Sequence, residues 1–180
     1  MKTLQTVATF IDHLNEFLGR QVAWLALLMV LIQFAVVVMR YIFGIGSIAM
    51  QEAIVYMHGI MFLTASGYTL LHGGHVRVDI FYSRATPRTK AIIDIVGVLG
   101  LLMPVIAVIY YTSMPYVEAS WKVLEGSTET SGIQAVFLLK SAIIAFCAVM
   151  TLQGLSMLIH ALLVLAGEEQ LVEEEHGGVM

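Results

Sequence analysis

Residues 21–39 read QVAWLALLMVLIQFAVVVM, and this stretch decides the fold class. About 20 consecutive apolar residues in a helix cross the roughly 30 Å of hydrocarbon in a bilayer. Arg20 and Arg40 flank the run, which is longer than the apolar core of a signal peptide and is followed by no small-residue cleavage site. We therefore predict that this segment is a retained transmembrane helix.

The composition of the whole chain agrees with a membrane protein. Of the 180 residues, 59% are hydrophobic and 12% are charged, whereas soluble domains carry about 25% charged residues. The formal net charge is −4, but residues 168–180 contain five glutamates and no Lys or Arg. The acidity thus belongs to the tail and indicates no nucleic-acid partner. A single cysteine, Cys147, cannot form a disulfide framework or a Cys-based metal site.

Three further apolar segments are long enough to cross the membrane. The four predicted spans cover about residues 21–39, 47–71, 91–112 and 137–163. The third span follows a helix-start signal, in which Thr86 is the N-cap and Pro87 takes the first helical position. Pro104 lies in the middle of this span, so we expect a kink there.

The N-terminal segment is amphipathic. Its apolar residues recur at helical spacing in one stripe: Leu4, Val7, Ala8, Ile11, Leu14 and Leu18. Gln5, Asp12, Asn15 and Glu16 lie elsewhere around the helix. We predict that residues 1–19 form a helix in the membrane interface before the first span. The predicted fold is an all-α integral membrane protein, with this interfacial helix, a four-helix transmembrane domain over residues 20–166 and an acidic tail over residues 167–180.

Basic residues predict the orientation of the helices. The N-terminal segment and the 72–90 connection together contain six Lys or Arg residues, and the two other connections contain three. Basic loops stay on the cytoplasmic side. We therefore expect both termini and the 72–90 connection, with the acidic tail, in the cytoplasm. Trp121 and the tyrosines before it fit the aromatic belt of the outer interface.

His72, His75 and Asp79 raise the question of a metal site, because neutral imidazole suits zinc, copper and iron. Two glycines separate the histidines, however, and no cysteine accompanies them. We interpret the glycines as the C-cap of the second helix. The alternating VRVDIF stretch then follows the cytoplasmic membrane surface, with Arg77 near the lipid headgroups. On this interpretation His75 and Asp79 are structural, and no metal ion is expected.

A redox membrane anchor that binds haem or quinone is a second hypothesis. The histidines within spans are His58 and His160. At 1.5 Å per residue, His58 lies about 16.5 Å along its helix from Ser47 and His160 about 28.5 Å from Ser141, and both helices run in the same direction. Axial ligands of one haem must lie at nearly the same depth, so the difference of about 12 Å disfavours this hypothesis. No nucleophile with a nearby base, phosphate loop or pair of carboxylates at mid-membrane indicates an enzyme.

Glu52 suggests a third hypothesis, a small proton-coupled exporter, but it lies only about 7 Å along its helix from Ser47 rather than at mid-membrane. An ionised carboxylate in lipid costs at least a few kcal/mol at the bilayer centre and less near an interface. We therefore expect Glu52 to face protein and to pair with a cation. Arg40 is the preferred partner, because its planar guanidinium can bind a carboxylate with two hydrogen bonds, and Lys140 is the alternative. A polar group of another subunit, or water, could replace them.

Residues 51–90, QEAIVYMHGIMFLTASGYTLLHGGHVRVDIFYSRATPRTK, resemble the central signature of the small membrane subunit of tripartite ATP-independent periplasmic (TRAP) transporters, the DctQ-like family. The matching positions are Glu52, Gly74, His75, Val76, Val78, Asp79 and Pro87. Trp121, Glu129 and Ser131 are similar to the family's Trp and Glu-x-Ser motif in the outer connection. Lys140 and Gln153 are similar to a branch labelled for keto-acid or mannitol/chloroaromatic transport. The resemblance covers roughly residues 20–160, but the proline that commonly follows Glu-x-Ser is missing from this chain.

The resemblance implies a scaffold subunit in a bacterial inner membrane. In this family a periplasmic substrate-binding protein captures a carboxylate-bearing solute, and a large membrane subunit moves it inward by an elevator mechanism driven by a sodium gradient. The small subunit contains no transport site; it enlarges the stationary scaffold and helps to dock the binding protein. The resemblance therefore implies no cofactor on this chain, with sodium bound by the large subunit.

Overall fold

Four long helices dominate the computed structural model, which describes residues 2–75, 82 and 85–167. They are α1 (Lys2–Phe43), α2 (Ile48–Leu71), α3 (Pro87–Lys122) and α4 (Val136–Leu165). Each is long and apolar enough to cross a membrane. The described residues include no β-strand. The prediction of an all-α protein with four transmembrane helices is confirmed.

α1 differs from the prediction of an interfacial helix followed by a separate span. It is one helix of 42 residues, about 63 Å long at 1.5 Å per residue. No proline interrupts residues 2–43, and Gly19 is buried within the helix against Tyr68 of α2. A helix without a breaker continues wherever packing supports it. An interfacial position for its N-terminal part stays a prediction.

The packed face of α1 contains small and polar residues together with part of the predicted apolar stripe. Leu4 and Val7 are exposed, whereas the buried positions in the N-terminal half of α1 include Asn15 and Gly19 as well as Ala8 and Ile11. Small and polar side chains face the neighbouring helices because close backbone approach and hydrogen bonds, rather than apolar burial, hold helices together in lipid. The polar side of the segment is thus part of its packing surface.

The helix boundaries predicted from local chemistry are confirmed. Thr86 caps α3 by accepting a hydrogen bond from the Thr89 N–H, with Pro87 in the first turn. α2 ends in a Schellman motif, in which Gly73 N–H donates to Leu70 O and Gly74 N–H donates to Thr69 O. Gly73 has a φ of +62°, the left-handed conformation that glycine adopts without steric cost.

α3 contains the irregularity that its proline predicts, in the form of a π-helical turn. The turn covers Val98–Leu102, and Met103 N–H donates to Val98 O. Pro104 follows directly; a proline has no N–H to donate, and its ring would collide with the carbonyl four residues earlier in a regular helix. The wider turn accommodates this ring, and α3 continues to Lys122, beyond the predicted end at residue 112.

α4 is the central helix of the fold. Within the most apolar 18-residue stretch of α4, 39% of the residues are buried. The corresponding stretches of α1, α2 and α3 have 6%, 6% and 11% of their residues buried. It packs against each of the other three helices, and α1 also packs along α2. α3 packs on α4 but makes at most marginal contact with α1 and α2. The helices therefore form an open arrangement, in which wide apolar faces of α1 and α3 remain uncovered.

Candidate functional site

Two groups of polar side chains join the helices, one at each end of the fold. The Glu52 end carries the connections 44–47 and 123–135, and the Asp12 end carries the start of α1, the end of α2 and the start of α3. Each group is built around one carboxylate on a helix otherwise rich in apolar residues. They are the candidate site because buried polar groups in a membrane protein are costly and mark functional or structural positions.

Glu52 holds the 123–135 connection against α2. Its carboxylate accepts hydrogen bonds from the Ser127 hydroxyl and, at 2.6 Å, from the backbone N–H of Ile133. One turn further along α2, the Tyr56 hydroxyl donates to the Ile133 carbonyl oxygen at 3.3 Å. A Cβ atom on Gly132 would lie 2.6 Å from Glu52 Oε2 and 2.6 Å from Ser127 Cβ, so these side chains would have to shift if residue 132 were not glycine. Glu52 thus determines where the connection lies.

Arg40 and Lys140 are not the partners of Glu52 in the structure, so the predicted ion pairing is corrected. Glu52 is bonded to two neutral donors. Arg40 is exposed near the end of α1, and Lys140 instead pairs with Glu125. Neutral O–H and N–H donors can satisfy the acceptor oxygens of a carboxylate as a cation can. The prediction overlooked neutral donors within this chain, namely the Ser127 hydroxyl and the Ile133 N–H of the connection.

Glu129 and Ser131 lie in the connection that Glu52 holds, and both are exposed. The Glu129 backbone N–H donates to Ser127 Oγ at 3.0 Å, and its carbonyl oxygen accepts from Gly132 N–H at 3.0 Å. The backbone of this motif is therefore fixed by a turn, while the side chains of Glu129 and Ser131 are exposed. This arrangement suits contact with another molecule.

Trp121 and Lys140 join the adjacent ends of α3 and α4. Trp121 Nε1–H donates to Ser141 Oγ at 2.8 Å, and its ring meets the Phe137 ring edge to face, with centroids 4.7 Å apart. The Lys140 ammonium pairs with the Glu125 carboxylate and lies 3.9 Å from the centroid of a tyrosine ring on α3. The hydrogen bond from Lys140 lowers the pKa of the Glu125 carboxyl. Both candidates therefore stabilise the junction of α3 with α4.

At the other end, Asp12 of α1 is bonded to three side chains of α4. Asp12 Oδ1 accepts from the Ser156 hydroxyl at 2.6 Å and from Gln153 Nε2 at 3.0 Å. Asp12 Oδ2 lies 3.0 Å from His160 Nε2. Gln153 also accepts a hydrogen bond from Asn15 Nδ2 at 2.7 Å. We call these five residues the Asp12 cluster; Asn15, Gln153 and Ser156 are almost fully buried.

The Asp12 cluster was not predicted from the sequence, although a signal exists. Gln153, Ser156 and His160 recur at intervals of three and four residues, and Asp12 and Asn15 are three apart. Such spacings place polar side chains on one face of each helix. These spacings do not show that the polar face of α1 contacts the polar face of α4.

The histidines considered as haem ligands both have protein neighbours. His160 belongs to the Asp12 cluster, and the His58 ring stacks on the Phe62 ring of its own helix, 6.2 Å between centroids. His72 lies against Glu16 of α1, with His72 Nε2 3.3 Å from Glu16 Oε2. Within residues 2–75, 82 and 85–167, no group of three His, Cys, Asp or Glu side chains is arranged to bind a metal ion.

The motif that follows α2 is described only in part. Gly74 completes the Schellman motif, and His75 beside it is exposed. Arg77 and Asp79 lie outside the described residues. A structural role for His75 and Asp79 therefore stays a prediction.

Comparison with known proteins identifies a family. Residues 29–164 match the family model described as the DctQ component of tripartite ATP-independent periplasmic transporters. The matched region contains the Glu52 end and the α4 side of the Asp12 cluster, but not Asp12 or Asn15 themselves. No curated protein and no solved structure matches the chain significantly.

Proposed function

The chain belongs to the DctQ family of TRAP transporter components, and from this membership we propose that it is the non-transporting small permease subunit of a TRAP transporter. The family is one of transporter components rather than of enzymes, and it works in a tripartite complex. The chain itself is a multi-pass membrane protein. The proposal adds that it lies in a bacterial inner membrane with both termini in the cytoplasm, as the distribution of basic residues predicts.

The first proposed role is to support the large membrane subunit that moves the solute. This role is supported by the hydrogen bonds that the polar side chains of the helices form within the protein. Asp12 accepts hydrogen bonds from α4, and Glu52 accepts two from the 123–135 connection. These groups fix one element to the next rather than offering a polar path. A domain that moves in a membrane requires such a fixed partner, and the uncovered apolar faces of α1 and α3 offer area for it.

The second proposed role is to help dock the periplasmic substrate-binding protein through the Glu52 end. Glu129 and Ser131 project from a connection whose backbone is held by Glu52, Ser127 and Ile133. A pre-ordered surface loses little conformational entropy when a partner binds. The solute is a carboxylate, uptake is driven by sodium bound to the large subunit, and this chain needs no cofactor.

Reconstitution in proteoliposomes tests this proposal. The large subunit and the binding protein are reconstituted with and without this chain, and solute uptake is measured under an inward sodium gradient. We expect omission of the chain to abolish uptake, while the affinity of the purified binding protein for its solute stays unchanged. Transport by the large subunit alone at the full rate would refute the scaffold role. Uptake that persists under a potassium gradient alone would refute sodium coupling.

A further inference from the structure

An apolar groove separates the ends of α3 and α4 at the Glu52 end. Its volume is about 630 Å³, which falls within the range of small-molecule sites. Met114, Val117 and Trp121 line it from α3, and Ile144 and Ala145 line it from α4. The hydrogen bond from Trp121 to Ser141 connects the two helices at the groove. A ligand in this groove must therefore be mainly apolar.

Two opposite charges border the groove on the α3 side. Glu118 and Lys122 are one helical turn apart, and both line the groove and are exposed. Across the described ranges, neither side chain makes a hydrogen bond or an ion pair. The nearby charged residues Glu125 and Lys140, by contrast, form an ion pair with each other. Glu118 and Lys122 thus present a negative and a positive group to a ligand in the groove.

We propose that this groove binds a phosphatidylethanolamine molecule, with an acyl chain between α3 and α4, the phosphate at Lys122 and the ammonium at Glu118. A phospholipid joins an apolar chain to a charged headgroup, as the groove joins an apolar lining to a charged border. The ethanolamine headgroup carries both charges and can donate hydrogen bonds to a carboxylate. A glycerol headgroup has no cation, and a choline headgroup has no N–H. Trp121 is of the residue type enriched where helices meet the lipid headgroups.

The test uses the full-length chain in phospholipid vesicles that contain a trace of photoreactive lipid. Three probes carry the same diazirine in one acyl chain and differ only in the headgroup: ethanolamine, glycerol or choline. After irradiation, mass spectrometry locates the labelled residues. We expect the ethanolamine probe to label the groove residues of α3 and α4 more strongly than either other probe. Equal labelling by all three probes, at the level found on the exposed residues Val105 and Val108, would show only bulk lipid and would overturn the proposal.

Variants separate the two parts of the site. Ala145→Trp fills the groove and should abolish its labelling, whereas Ala148→Trp, at an exposed alanine outside the groove lining, should not. Glu118→Gln should remove the preference for ethanolamine. Lys122→Gln should lower labelling by all three probes by about two- to fivefold, the effect expected from one exposed ion pair. Unchanged labelling in Ala145→Trp would also overturn the proposal.

A protein segment is the competing occupant of the groove. To test it, the labelling is repeated with the chain assembled with the large subunit. We expect labelling by the ethanolamine probe to persist in the complex. If it disappears there, and Ala145→Trp prevents assembly, the groove is a protein interface and the lipid proposal is wrong.

Discussion

Asp12 and His160 are 148 positions apart in the chain, yet Asp12 Oδ2 lies 3.0 Å from His160 Nε2. The contact joins the first turns of α1 to the last turns of α4. It thereby connects a segment outside the family match to the region inside it. In the part of the chain that the structure describes, no other pair of helices is joined by as many side-chain hydrogen bonds as α1 and α4.

Asp12→Ala should destabilise the folded chain. Ser156, Gln153 and His160 would lose their shared acceptor, and buried donors without partners are costly. We expect a loss of about 1–3 kcal/mol in unfolding free energy, measured by thermal unfolding in detergent. His13→Ala, at the exposed neighbouring position, is the control and should change little. A double-mutant cycle of Asp12→Ala with His160→Ala should be non-additive; simple additivity would mean that the pair is not coupled.

Glu52→Gln should loosen the 123–135 connection without changing α4. A carboxylate offers one acceptor oxygen to the Ser127 hydroxyl and one to the Ile133 N–H. An amide has only one acceptor oxygen, and its NH2 group would face one of these two donors. Hydrogen exchange at the Ile133 amide should accelerate by about tenfold or more, as expected for loss of a charge-assisted bond. Arg40→Gln should leave this exchange unchanged. If Arg40→Gln has the same effect as Glu52→Gln, the original ion-pair prediction is restored.

The junction of α3 and α4 should loosen in acid. Lys140 lowers the pKa of Glu125 below its ordinary value of 4.5. A carboxyl whose pKa is lower in the folded state contributes stability that is fully present above its unfolded value and is lost as the pH falls through its folded value. The loss should therefore begin below about pH 4.5. Trp121 fluorescence in a Trp24→Phe background reports it, because the Trp121 ring lies in this junction.

A matched pair of carboxyl variants checks the assignment of this pH dependence. Glu125→Gln should abolish the acid transition of Trp121 fluorescence. Glu129→Gln, an exposed glutamate of the same connection, should preserve it. If the transition survives in Glu125→Gln, another group is responsible.

Gly19→Ala should disrupt the packing of α1 on α2. A Cβ atom at Gly19 would overlap the side chain of Tyr68, and overpacking of this kind costs about 1–3 kcal/mol. Gly97→Ala is the matched control, because Gly97 is also helical and no atom lies within 4 Å of its added Cβ. The control should be neutral or stabilising by up to about 1 kcal/mol, since alanine favours helix more than glycine does. Equal melting temperatures for the two variants would contradict the close contact with Tyr68.

Features that depend on a few adjacent residues could be predicted from the sequence. The spans follow from the lengths of apolar runs, the end of α2 follows from Gly73, and the start of α3 follows from Thr86 with Pro87. The partners of Glu52 could not be found in this way, because a serine hydroxyl and a backbone N–H leave no pattern at a distance of 75 to 81 residues. The continuity of α1 was missed because a change in composition near residue 20 was interpreted as a boundary between elements.

The central position of α4 has a consequence for the biogenesis of the protein. Translation delivers α1 and α2 first, and these two helices can associate as soon as both are in the bilayer. α3 follows, and among the described residues its only extensive packing partner is α4, which comes after it in the chain. In a chain truncated before Val136, α3 would therefore lack this partner, and Asp12 would lack the α4 residues that bind it. Completion of α4 is thus the step that gives both α3 and Asp12 their packing partners.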